Sequence, residues 1–163
     1  MVVLTDTGEA LDIHPIDKQT PGERLALLAL KNVYDYKNLI ALGPTVKKAT
    51  KQGNTVVVEF VNCNAGLQTK ELPKYYDLQR NSNKKKLLVR NSPNTQVEGF
   101  AILGNDNKWF WADRAEIVDN KIQVSSQKVS NPIKIRYGWM ANPTVNLYNK
   151  AGLPAVPFEM DVN

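Results

Sequence analysis

The sequence predicts a mainly β protein, an antiparallel β-sandwich preceded by one α-helix. From residue 42 onward, short segments rich in β-branched and aromatic residues alternate with Gly, Asn and Asp turns, the pattern of antiparallel sandwiches and barrels. Upstream, one stretch carries apolar residues at helical spacing behind a capping signature,. The chain has 163 residues, 42% hydrophobic and 23% charged. That is enough for one domain with a real core, or for one domain and the tail of another, and it argues against disorder.

Taken in order, the first texture spans about residues 1–36 and ends in the helix. Thr20-Pro21-Gly22-Glu23 reads as a capping box, with the Thr20 hydroxyl accepting from the Glu23 amide and the Glu23 carboxylate reaching back. Pro21 falls at the first helical position, where a missing N–H costs nothing. Leu25, Leu28 and Ala29, widened by Leu27, Leu30 and Val33, give an apolar face over 21–35. A face so broad predicts burial against a larger body. Strands are then predicted over 45–49 and 55–61, flanking the turn Gln52-Gly53-Asn54, and over 99–103. After the turn Gly104-Asn105-Asp106-Asn107 come strands at 109–111, 115–118, 121–125 and 133–137, the middle two joined by Asp119-Asn120. The stretch 70–95, rich in Lys, Asn and Ser, is the least ordered in texture. The tail from Gly138 is dense in Pro and Asn yet carries Leu147, Tyr148, Leu153, Val156 and Phe158. It reads as an ordered loop packed back on a surface.

Composition removes several function classes. The net charge of +5 invites a nucleic-acid reading, but the charge is scattered. Its one dense run, Lys84-Lys85-Lys86, lacks interleaved aromatics and reads as a solvated loop. The single cysteine, Cys63, excludes an intrachain disulfide and a cysteine-based zinc cluster; a packed or half-exposed thiol is expected. No apolar run approaches the ~20 residues of a bilayer span, and residues 1–6 show no signal-peptide pattern,.

Chemistry concentrates on the one histidine, His14, in Leu11-Asp12-Ile13-His14-Pro15. In an extended segment Asp12 and His14 project to the same side. A carboxylate there can bond one imidazole nitrogen, set its tautomer and raise its basicity, as a general base requires. A lone His is by default structural, and the pairing permits a reaction without singling one out.

Asp6-Thr7-Gly8, Asp12-Ile13-His14-Pro15, Lys18-Gln19 and the run from Gly22 to Leu27 resemble the terminal block of sialate O-acetylesterases of the SGNH-type hydrolase superfamily. Asn131-Pro132, Arg136-Tyr137-Gly138-Trp139, Asn142-Pro143, Asn146-Leu147-Tyr148-Asn149, Gly152-Leu153-Pro154-Ala155 and Pro157-Phe158 are similar to that family's C-terminal signature. The resemblance implies that residues 1–36 are the C-terminal end of an α/β SGNH-type esterase domain and residues 37–163 a β-sandwich C-terminal domain. It also implies that His14 is the triad base. Many SGNH hydrolases carry the acid three residues before the histidine, where this chain has Leu11, so Asp12 is the nearest candidate acid and Asp6 the second. The nucleophilic serine of a Gly-Asp-Ser-type turn has no counterpart among Ser82, Ser92, Ser125, Ser126 and Ser130. A missing N-terminal catalytic domain would have to supply it, and the chain alone should not hydrolyse esters.

The implied substrate is O-acetylated sialic acid or a related acetylated sugar, with no metal or organic cofactor, and the family context implies export to a periplasmic or extracellular compartment. Two readings stand beside this one. The sandwich could bind carbohydrate without catalysis, with Trp139 and Tyr148 on a sugar-facing rim. It could instead be purely structural, shaping the esterase domain and leaving the apolar helix face uncovered when alone. Trp109 and Trp111 share one strand face and Phe110 the other, so at least one of the two faces is expected to be buried.

Overall fold

The computed structural model describes residues 1–8, 13–63, 66–71, 96–141 and 143–163. Among the described residues, helix α1 spans Gln19–Asn32 and is followed by ten strands: β1 Thr45–Gln52, β2 Thr55–Val61, β3 Leu67–Thr69, β4 Phe100–Gly104, β5 Trp109–Trp111, β6 Arg114–Val118, β7 Lys121–Ser125, β8 Pro132–Tyr137, β9 Leu147–Asn149 and β10 Phe158–Asp161. They form two four-stranded sheets, ordered β1-β2-β7-β6 and β10-β8-β4-β5, and a two-stranded ribbon β3-β9. Every pairing is antiparallel, and the mainly β prediction holds.

One core joins the two sheets. Ala49, Val56, Val58, Ala115, Ile122 and Val124 of the first pack in the same cluster as Phe100, Ile102, Ile135, Tyr137 and Phe158 of the second. The alternation that sets this is plain in β7, where Ile122 and Val124 are buried while Lys121 and Gln123 are exposed,. Aromatic rings bridge the layers. Phe158 meets Phe60 edge-on at 6.0 Å and stacks with Tyr137 at 6.1 Å between centroids. At β5 the inward side chain is Phe110, packed on the core. Trp109 lies on the other face, where the Arg136 guanidinium covers its ring at 4.1 Å. One face of that strand is therefore in the core, and both tryptophans lie on the other.

The turns follow their residues. Asp119 and Asn120, at φ 49° and 59°, make the two-residue hairpin between β6 and β7 that needs positive φ at both positions. The tail departs from its reading as a loop, because it contributes β9 and β10. Three- and four-residue strands broken by Pro carry too little alternation to be legible, and tertiary pairing alone makes them strands. Cys63 is buried and its thiol donates to the Phe60 carbonyl. The lysine run at 84–86 and most of the 70–95 stretch lie outside the described residues.

Helix α1 begins two residues earlier than predicted, and Thr20 is not its cap. The Thr20 amide donates to Asp17 Oδ1 at 3.0 Å. A carboxylate at a helix N-terminus satisfies an orphan amide and meets the positive end of the dipole. Bonds from the Thr20 side chain and backbone hold the Asp17 carboxyl below its usual range. Glu23, instead of reaching back to Thr20, accepts from Gln19 Nε2 at 2.6 Å. Asp35, at φ 62°, closes the segment after the helix.

Candidate functional site

His14 lies on an exposed loop between the Asp6-Thr7-Gly8 turn and α1. Asp12, its expected partner, lies outside the described residues. Gly8 sits at φ +101°, and a Cβ there would stand 4.0 Å from the Pro15 Cβ, so the turn and the histidine loop are neighbours.

A buried ion pair clamps the two ends of this segment. The guanidinium of Arg24, from the second turn of α1, donates to Asp6 Oδ1 at 2.6 Å and to Oδ2 at 2.7 Å, and also to the Val3 carbonyl at 2.7 Å. The two side chains are 9% and 15% exposed. The fork of two parallel bonds matches carboxylate geometry in a way an ammonium cannot. Removing one partner of such a pair costs about 3–5 kcal/mol, since the other charge is left without compensation in the interior. Asp6 Oδ2 also accepts from the Tyr148 hydroxyl at 3.1 Å. Both carboxylate oxygens of Asp6 are thus engaged, by Arg24 and by Tyr148.

Tyr148 departs from the sugar-facing rim. It is 6% exposed, with Lys70 Nζ 4.2 Å from its ring centre, and its hydroxyl is turned inward to Asp6. Burial, then the charge of Asp6, push its phenol well above the ordinary tyrosine range. Beside it, Tyr137 is fully buried and its oxygen accepts the Leu147 amide at 3.1 Å; burial raises this phenol too. Arg24 is the residue the helical pattern misjudged. It is the one buried residue of α1, whereas Leu25, Val33 and Tyr34 are exposed at 55%, 75% and 67%. The sequence signal was present in part: Arg24, Leu27, Leu28 and Lys31 share one helical face,.

Trp139 is 53% exposed, and it borders an open trough of about 650 Å³ lined by residues 1–5 and 138–141 with Pro143 and Pro157. Gly138, at φ +61°, swings the chain out of β8 so that the indole stands at the trough edge. The lining is mostly apolar and offers stacking surface. Among the serines, Ser126 is buried and donates to Asp113 Oδ2 at 3.1 Å, and Ser125 lies within β7; Ser82 and Ser92 lie outside the described residues. Among the described residues no group of three or more His, Cys, Asp or Glu could hold a metal ion, and no helix is long and apolar enough to cross a membrane.

No protein-family model matches the sequence, and no curated protein matches it. Among solved structures, the chain is similar to a protein described as a novel carbohydrate acetylesterase from Xanthomonas citri, at 32% identity and a TM-score of 0.78. The likeness covers 98% of this chain and 32% of that one, so this chain spans about a third of the length of the acetylesterase. Over nearly all its residues, then, the chain shares its fold and a third of its sequence with part of a carbohydrate esterase.

Proposed function

We propose that this chain is the histidine-bearing, C-terminal portion of a carbohydrate esterase that removes O-acetyl groups from sialic acid or a related acetylated sugar. The observation that carries the reading is the likeness to a carbohydrate acetylesterase along almost the whole chain, with the sole histidine on an exposed loop next to a clamped turn. A serine supplied by the rest of the protein attacks the acetyl carbonyl. His14 takes the serine proton and returns it to the departing sugar oxygen, and Asp12 orients the ring. The sandwich supports that loop and covers one side of the catalytic body, which packs on the exposed apolar face of α1. Such a protein acts on sugars outside the cytoplasm.

The test is acetate release from O-acetylated sialic acid, and from other acetylated sugars, by a longer protein containing this chain. His14→Ala should lower turnover by several orders of magnitude with the melting temperature retained. Undiminished acetate release by that variant would overturn the reading. A second reading, a sugar-binding module, is favoured only by the exposed indole of Trp139 at its trough. Calorimetric titration of the chain with sialosides, with and without Trp139→Ala, separates the two.

A further inference from the structure

We infer that Tyr148 is a positioning residue, which ties the loop carrying His14 to the β-sandwich through the Asp6–Arg24 pair. Arg24 and Asp6 are 18 positions apart, and their ion pair closes the intervening segment, His14 included, into a loop. Tyr148 joins that closure from 142 positions away, on strand β9, which pairs with β3. Lys70 lies against the face of the Tyr148 ring, and Lys70 Nζ in turn donates to the Gly152 carbonyl at 3.3 Å. Next to Tyr148, Asn149 anchors the same strand through bonds to Leu42 and Asn62. The hydroxyl therefore projects from β9 onto a carboxylate that Arg24 of α1 also holds, by two bonds. A movement of β9 moves Asp6, and with it the turn at Gly8, where an added Cβ would reach 4.0 Å from the Cβ of Pro15 next to His14. The role given to His14 rests on the esterase reading; the mechanical link does not.

Because His14 is the sole histidine, its imidazole gives one set of NMR resonances in the 163-residue chain, and these report the link without catalysis. Tyr148→Phe keeps the ring and removes the bond to Asp6. Arg24→Lys keeps the charge and loses the fork. Both should shift and broaden the His14 resonances relative to Val58→Ala, a core variant that lowers stability away from the site. In a longer protein with esterase activity, Tyr148→Phe should lower kcat on the order of tenfold with KM little changed, as a displaced base does. His14 resonances that match Val58→Ala in both variants would overturn the inference whatever the activity. Shifted resonances in a protein that releases no acetate would keep the link and remove the esterase reading.

Discussion

Asn149 is where the tail, the sandwich and the connection from α1 are pinned together, and its replacement has a calculable cost. The side chain is 1% exposed. Its Nδ2 donates to the carbonyls of Leu42 and Asn62 at 3.1 and 3.0 Å, and its Oδ1 accepts the Leu153 amide at 3.0 Å. A bond contributes ~1 kcal/mol net, while a buried partner left without one costs ~1–3 kcal/mol instead. Asn149→Ala removes the part-buried bonds to the Leu42 and Asn62 carbonyls, ~1 kcal/mol each, and strands the buried Leu153 amide, ~1–3 kcal/mol, so a loss of about 3–5 kcal/mol is expected,. For a domain of this size each kcal/mol moves the melting temperature by roughly 2–4 °C, and calorimetry should find a fall on the order of 10 °C. Asn149→Asp preserves shape but turns a carboxylate oxygen toward two carbonyls. Burial raises that carboxyl above its usual ~3.9, so its stability is fullest below that pH and is lost as pH rises through the elevated folded value. At neutral pH it should be the worse of the two variants, recovering in acid. A loss under ~1 kcal/mol for Asn149→Ala, or a better-than-Ala Asp variant at neutral pH, would refute the hydrogen-bond accounting.

Two further outcomes follow from the same structure. Burial, with the charge of Asp6 adding to it, holds Tyr137 and Tyr148 protonated above the ordinary tyrosine range. The native state therefore keeps protons that the unfolded chain releases near pH ~10, and stability should be full below that pH and fall as pH rises; phenolate absorbance should lag for these two until the fold opens, and full titration of a still-folded protein would contradict this. The uncovered helix face, with Leu25 and Val33 exposed at 55% and 75%, should make the isolated chain self-associate. Leu25→Lys with Val33→Lys should shift sedimentation toward monomer, and a parent chain already monomeric at high concentration would remove that expectation.

Much of the sandwich was legible before any coordinates. The β-branched run of β2, the aromatic triplet of β5 and the alternation of β7 marked those strands residue for residue, since such runs and the Asn/Asp-rich turns beside them are local signals,. The helix was legible in kind but not in register. Two caps three residues apart were available, and the carboxylate of Asp17 on the Thr20 amide opens the helix instead of the Thr20 hydroxyl on the Glu23 amide. Its orientation was misread because pattern rules place leucine inside and arginine outside, whereas Arg24 is internal with Asp6 as its partner.

The residue chain by itself determined the mainly β class, most strand positions and the presence of one histidine in a loop beside a potential carboxylate. Tertiary structure alone decided that Asp6, Arg24 and Tyr148 meet, that Tyr148 is buried and Trp139 exposed, and that the tail supplies two strands. The physical reason is distance along the chain. Alternation and capping act between near neighbours, while a hydrogen bond across 142 positions leaves no trace in local pattern and exists only once the sheets have packed.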